Sequence, residues 1–174
     1  MRVIGGEFRS RRLKTLPGLE TRPTPDRLRE TLFNVLTPVI PDAIFLDAYA
    51  GSGAVGIEAL SRGARRAIFV EKNRAALEVI RENLSTLGLE SRAEVYAGKT
   101  LTLLERVAAD IVFLDPPYEK EIEYAGALGI LGSSANRLVI AQHTSRATLE
   151  AEYGTLKRYR VIRQGDNSLS FYRG

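Results

Sequence analysis

Three groups of residues carry chemistry by their types and spacing. The first is Asp115-Pro116-Pro117-Tyr118, placed directly after the apolar run Ile111-Val112-Phe113-Leu114. An exocyclic amine on a nucleic-acid base is a poor nucleophile because its lone pair is delocalised into the ring. A catalyst has to accept the amine's N–H bonds and turn the lone pair toward an electrophile. The Asp115 carboxylate and the Pro116 carbonyl suit that task, and two successive prolines fix the carbonyl while removing competing N–H donors. Tyr118 suits stacking on an extruded base, a contact worth about 1–3 kcal/mol. Rigidity matters because productive attack needs reacting atoms roughly 3–3.5 Å apart and aligned. Asp115, Pro116 and Tyr118 are the candidate catalytic set.

The second group is Asp47-Ala48-Tyr49-Ala50-Gly51-Ser52-Gly53-Ala54-Val55-Gly56, with Glu71 further on. The loop contains GxGxxG, whose glycines let backbone approach a ligand at a helix N-terminus. Glu71, at the end of the next strand, is spaced to accept hydrogen bonds from ribose hydroxyls. Alone, the loop suits a dinucleotide. Asp47 shifts the reading, since a carboxylate repels a pyrophosphate but suits the amino group and sulfonium of S-adenosylmethionine.

The third group is basic. Arg2, Arg9, Arg11, Arg12 and Lys14 lie at one end of the chain, and Lys157, Arg158, Arg160, Arg163 and Arg173 at the other. Each end nets +4 and the middle −4, within a total of +4. On one face, the two ends would form a phosphate-binding rim; otherwise they are solvated charge runs.

Positioning these residues requires strands that end at one edge. Beyond residue 40, short apolar runs alternate with amphipathic stretches, which predicts strand–helix units and a mostly parallel sheet. The spacing predicts strands over Ala43 to Asp47, Arg66 to Glu71, Arg92 to Tyr96, Ile111 to Asp115 and Arg137 to Gln142. Helices are expected near 53–62, 74–87, 100–106 and 121–131. Asn73 is a candidate N-cap, Leu77, Ile80 and Leu84 form an apolar stripe, and Gly88 is a C-terminal stop. Leu156 to Arg163 and Leu169 to Arg173 read as an antiparallel hairpin around Gln164-Gly165-Asp166-Asn167. Arg2 to Gly6 and Arg11 to Thr15 are expected to pair as a small basic hairpin, an appendage to the body. Thr24-Pro25-Asp26 predicts a helix to about Leu36, capped by the Thr24 hydroxyl with Pro25 in its first position.

The composition narrows the classes. The chain has 174 residues, 44% hydrophobic and 26% charged, which fits one domain spanning 1–174. No apolar run is long enough to span a bilayer and no leader pattern follows Met1, so a cytoplasmic protein is expected. With no cysteine and one histidine, thiolate chemistry and a metal site are not expected.

Taken together, Arg2-Val3-Ile4-Gly5-Gly6, Arg22-Pro23-Thr24, Asp26-Arg27-Leu28-Arg29-Glu30-Thr31-Leu32-Phe33-Asn34, Leu46 to Gly53 with Gly56, Val70-Glu71-Lys72, and Phe113 to Tyr118 resemble the RsmD family of bacterial small-subunit ribosomal RNA guanine-N2 methyltransferases. The resemblance covers nearly the whole chain. It implies an α/β class I S-adenosylmethionine-dependent methyltransferase fold, Rossmann-like, with a seven-stranded mostly parallel sheet and an antiparallel C-terminal hairpin. It also implies methylation of the exocyclic N2 amine of one guanine, position 966, in 16S rRNA, free or in the small ribosomal subunit; the chain's size and the lack of an extra apolar helix favour a monomer. By motif, Asp47, Ala50, Gly51, Ser52, Gly53, Glu71, Lys72 and Gly98 are the expected donor-binding residues. Residues 1–36 are the expected RNA-contacting extension, with Arg9, Arg11, Arg12, Arg22, Thr24 and Arg27 as contacts. The chain departs from the family pattern at Gly98-Lys99, where Gly-Asp is usual, and at Gln142-His143, where Glu-His is usual; His143 is expected to be structural.

Competing readings are an adenine-N6 methyltransferase on RNA or DNA, a non-catalytic RNA-binding protein on the same fold, and an NAD-dependent oxidoreductase. Little chain lies beyond the core to read a DNA target, and Asp115 with the glycine loop would serve no purpose in a protein that only binds. Asp47 and the tetrapeptide disfavour the oxidoreductase.

Overall fold

A computed structural model of the chain describes residues 1–17, 24–117, 121–134 and 137–174. Its elements are α1 (Asp26–Leu36), β1 (Ile44–Asp47), α2 (Ala54–Ser61), β2 (Arg66–Glu71), α3 (Arg74–Thr86), β3 (Ala93–Ala97), α4 (Thr100–Leu103), β4 (Ile111–Leu114), α5 (Glu121–Leu131), β5 (Leu138–Thr144), β6 (Glu152–Tyr153), β7 (Leu156–Gln164) and β8 (Asn167–Arg173). They form a single sheet ordered β3-β2-β1-β4-β5-β8-β7-β6. The first five of these strands are mutually parallel, and β8, β7 and β6 join antiparallel. The sheet therefore has eight strands rather than seven: the two-residue β6 pairs Glu152 with Lys157 and Tyr153 with Leu156 beyond the expected hairpin. A pairing this short leaves almost no periodic signal in sequence.

Both sheet faces are covered, so the central strands are apolar on both sides. On one face, Phe45, Phe113, Ile140 and Phe171 pack with Leu28, Leu32 and Phe33 of α1 and Ile57 of α2. On the other, Leu46, Val112, Leu114 and Ala141 pack with Tyr124, Leu128 and Leu131 of α5. α3 is bounded as its residues dictate. The Asn73 side chain accepts the Ala76 N–H at 3.0 Å. At the far end Leu89 N–H reaches Leu84 O at 2.8 Å and Gly88 N–H reaches Ser85 O at 3.1 Å, the two bonds of a Schellman stop, with Leu84 and Leu89 both buried.

Two expectations for the N-terminal segment are corrected. The N-cap of α1 is Pro25, in extended conformation and without a side-chain cap bond, so the Thr24 hydroxyl does not cap. Pro25 instead supplies its carbonyl to Arg29 N–H at 3.0 Å. The basic hairpin is one antiparallel bridge, Arg2 to Arg12, and it is no appendage. Val3 and Leu13 are buried in the main core, and Ile4 and Gly5 N–H groups both donate to the Glu58 carboxylate at 2.9 Å. The apolar residue on each arm ties the turn to the body.

Both basic ends of the chain contact α1. Lys14 pairs with Glu82 of α3, and Glu7 with Arg92 just before β3, while β7 and β8 lie toward the other end of the sheet. α1 stands between them, with Arg29 bonded to Arg2 O and Thr31 to Gln164. Among the described residues no helix is long and apolar enough to cross a membrane.

Candidate active site

Parallel pairing brings the chemistry-bearing residues to the carboxyl ends of adjacent strands. Asp47 closes β1, opposite Phe69 of β2 and Phe113 of β4. Glu71 closes β2, and Asp115 follows the last residue of β4. The loops leaving these strands are cross-linked: Ala48 N–H donates to Phe113 O at 3.1 Å, Ala50 N–H to Val70 O at 3.0 Å, and Gly98 N–H to Glu71 O at 3.0 Å.

Gly51 and Gly53 have φ of 56° and 84°, a region that disfavours side chains. A Cβ on Gly51 would meet nothing within 4 Å, so this backbone borders open space where a ligand can approach. Gly53 caps α2, whose N-terminus is therefore presented at the loop. Gly56 serves packing instead: a Cβ there would collide with the Phe69 ring. The Glu71 carboxylate accepts Gly51 N–H at 2.9 Å and Asn73 N–H at 2.8 Å, and each oxygen retains a lone pair for a ligand hydroxyl.

Asp47 is buried and accepts Gly56 N–H at 3.0 Å. Burial, reinforced by the charges of Asp115 and Glu71 and opposed by the Gly56 bond, pushes its carboxyl up to about 8. The three acids are thus electrostatically in one site. A cationic ligand group would relieve the repulsion; an anionic one would worsen it.

In the tetrapeptide, Asp115 is half-buried, Pro116 buried and Pro117 exposed. Tyr118 and Arg22 lie outside the described residues. Ala50 is buried and Ser52 half-buried in the loop; Gly98 is half-buried, and Lys72 and Lys99 are exposed. Arg9, Arg11, Arg12 and Arg27 are exposed and Thr24 half-buried. The structure gathers Asp115 and the residues expected to bind the donor at the carboxyl ends of adjacent strands, whereas Arg9, Arg11 and Arg12 sit on the N-terminal turn. His143 is buried between β5 and β8. Its Nδ1 lies 2.7 Å from Thr144 O, which can only accept, so Nδ1 carries the proton. In the neutral ring Nε2 then accepts the Ser170 hydroxyl at 2.7 Å.

Two couplings were missed from sequence. Glu58, fully buried on α2, holds Arg62 at 2.8 Å and lies 3.7 Å from the fully buried Arg29, so that one carboxylate joins α1, α2 and the N-terminal turn. Its signal was a charge inside the apolar run Ile57-Glu58-Ala59-Leu60. Tyr49 of the glycine loop donates to Glu123 of α5 at 2.7 Å, and burial and that carboxylate raise the pKa of its phenol. No sequence pattern marked that pair, since 74 residues separate them. Among the described residues no acidic and histidine cluster suited to a metal ion occurs.

A model of the family described as "Conserved hypothetical protein 95" matches residues 1–173. Ribosomal RNA small subunit methyltransferase D of Escherichia coli (strain K12) is 45% identical over 122 residues, which cover 69% of this chain and 61% of that protein. YlbH of Bacillus subtilis (strain 168) is 35% identical across 99% of this chain and 98% of its own length. Among solved structures, YhhF from Escherichia coli superposes with a TM-score of 0.87 at 32% identity, over 99% of this chain and 96% of that one. With a β3-β2-β1-β4-β5 parallel core, an antiparallel hairpin and the acid-lined glycine loop, these likenesses settle the family: the chain is a class I methyltransferase fold and belongs to the RsmD family of ribosomal RNA methyltransferases.

Proposed function

We propose that this protein transfers a methyl group from S-adenosylmethionine to the exocyclic N2 amine of a guanine in 16S rRNA, position 966 being the family expectation. The observation that carries the reading is the placement of Asp115 at the exit of β4, where its charge acts on Asp47 at the exit of the neighbouring β1. The donor supplies a methyl group on a sulfonium, already activated for transfer. Its fit rests on the open, side-chain-free Gly51 backbone, the buried carboxyl of Asp47 for a cationic group, and Glu71 for ribose hydroxyls. Ala50, Ser52, Gly53, Lys72 and Gly98 complete the donor set.

Asp115 and the Pro116 carbonyl accept the two N–H bonds of the guanine amine and aim its lone pair at the methyl carbon. When bound, the donor would supply an electrophilic methyl carbon and a neutral thioether as leaving group, and the methylated amine would then shed its surplus proton to water. Orientation and electrostatics supply the acceleration. Tyr118 stacks on the flipped base. Arg9, Arg11, Arg12, Arg22, Thr24 and Arg27 bind the RNA backbone as part of a 1–36 extension. The protein acts in the cytoplasm as a monomer on rRNA or the assembling small subunit. Labelled S-adenosylmethionine supplied with undermethylated small subunits, followed by nucleoside mass spectrometry, tests the reading; N2-methylguanosine supports it, and N6-methyladenosine overturns the choice of base.

A further inference from the structure

We infer that Gln142 reads the Watson–Crick edge of the target base, its side-chain carbonyl accepting the N1–H of guanine beside the amine held by Asp115. This rests on the guanine-N2 reading above. β4 and β5 are paired in parallel with Leu114 opposite Ala141, so Asp115 and Gln142 are the next residues on the two strands. Neighbouring strands lie about 4.8 Å apart. Side chains alternate between faces, and Phe113 and Ile140 pack together on the face that also carries Phe45. Two residues on, Gln142 lies on that same face, as does Asp47 two residues beyond Phe45, and Asp115 is the first residue past the end of β4.

Gln142 is only 4% exposed, yet its side-chain Oε1 has no hydrogen-bond partner among the described residues. Its backbone carbonyl is satisfied by the Tyr124 hydroxyl, which fixes the strand at this point. A buried amide oxygen without a partner is costly, and a fully apolar side chain would fill the same space without that penalty. Beside the transfer site, the missing donor is best supplied by substrate. Guanine carries N1–H next to its 2-amino group, so two acceptors from adjacent strands meet two adjacent donors. A purine with an unprotonated N1 offers a lone pair there instead, and leaves the Gln142 oxygen unsatisfied.

The test compares two RNA substrates that both keep the 2-amino group: one with guanine at the target position and one with 2,6-diaminopurine, which lacks N1–H. Wild-type protein should favour guanine by about tenfold or more in kcat/KM, one hydrogen bond to a buried acceptor. Gln142→Met should reduce kcat/KM on guanine by about tenfold, change 2,6-diaminopurine less than threefold, and leave S-adenosylmethionine affinity unchanged. Equal losses on both substrates would show a packing role and overturn the inference, as would no loss on either. If Gln142→Met fails to fold, the wild-type comparison decides alone, and equal use of the two bases overturns the inference. Wild-type protein that forms no N2-methylguanosine defeats the underlying reading, and a normal yield with an unmoved base preference defeats only this one.

Discussion

The backbone N–H of Gly51 donates to the carboxylate of Glu71 across 2.9 Å, so the acid that closes β2 holds the glycine loop leaving β1. One side chain therefore shapes the loop and presents oxygens to a ligand. Glu71→Ala removes both functions. S-adenosylmethionine affinity should fall at least tenfold, with thermal stability reduced by about 1–2 kcal/mol, measured by calorimetric titration and thermal unfolding. Glu71→Gln, which keeps an acceptor for Gly51, should recover the stability and only part of the affinity.

Asp47 gives a pH signature. Its folded-state carboxyl, at about 8, lies above the roughly 4 of an exposed aspartate. The folded protein holds this proton more tightly than the unfolded chain does. The stabilisation is fully present below about pH 4 and is lost as pH rises through 8. Asp47→Asn should flatten the decline in melting temperature between about pH 5 and 8. A cationic donor favours the ionised carboxylate, so donor binding near pH 7 should release protons from the wild type and none from Asp47→Asn. Titration in buffers of different ionisation enthalpy reads that difference.

Gly56 sits against Phe69 with no room for a methyl group. Gly56→Ala should destabilise the fold by about 1–3 kcal/mol through overpacking, read from the denaturation midpoint. Combining it with Phe69→Leu should recover part of the loss, since the ring is what the new Cβ meets.

Much of this site was legible because its parts are local. Asp47, the loop and Glu71 announce themselves as a strand, a glycine-rich turn and an acid at the next strand end, and the pairing of β1 with β2 and β4 puts them together. The polar links between distant segments were not legible. Glu58 reaches Ile4 and Gly5 over more than fifty residues, and the same carboxylate converts an expected appendage into part of the core. Thr24 resembled a cap because it precedes Pro-Asp, but the chain enters α1 one residue later, at Pro25. β6 is too short to show a period, and only its pairing with β7 defines it.

The exposed arginines of the N-terminal turn supply a prediction about RNA. Replacing Arg9, Arg11 and Arg12 with glutamine should weaken binding to 16S rRNA at low salt and shallow the log–log salt dependence by up to about 2–3, near one unit for each phosphate no longer neutralised. S-adenosylmethionine affinity should not change, because none of the three lies at the strand ends proposed to hold the donor. Filter binding across a salt series measures the slope, and an unchanged slope returns the turn to a solvated charge run.

Asp115 is proposed to orient the guanine amine for methyl transfer, with donor binding left chiefly to Asp47, the glycine loop and Glu71. The most direct measurement is single-turnover transfer from labelled S-adenosylmethionine to undermethylated small subunits by wild type and Asp115→Ala, with donor affinity measured on the same preparations. The expected result is N2-methylguanosine from the wild type, a loss of at least about a hundredfold in the variant, and donor affinities within about threefold of each other. Full turnover by Asp115→Ala, or loss of donor binding in place of turnover, would contradict it.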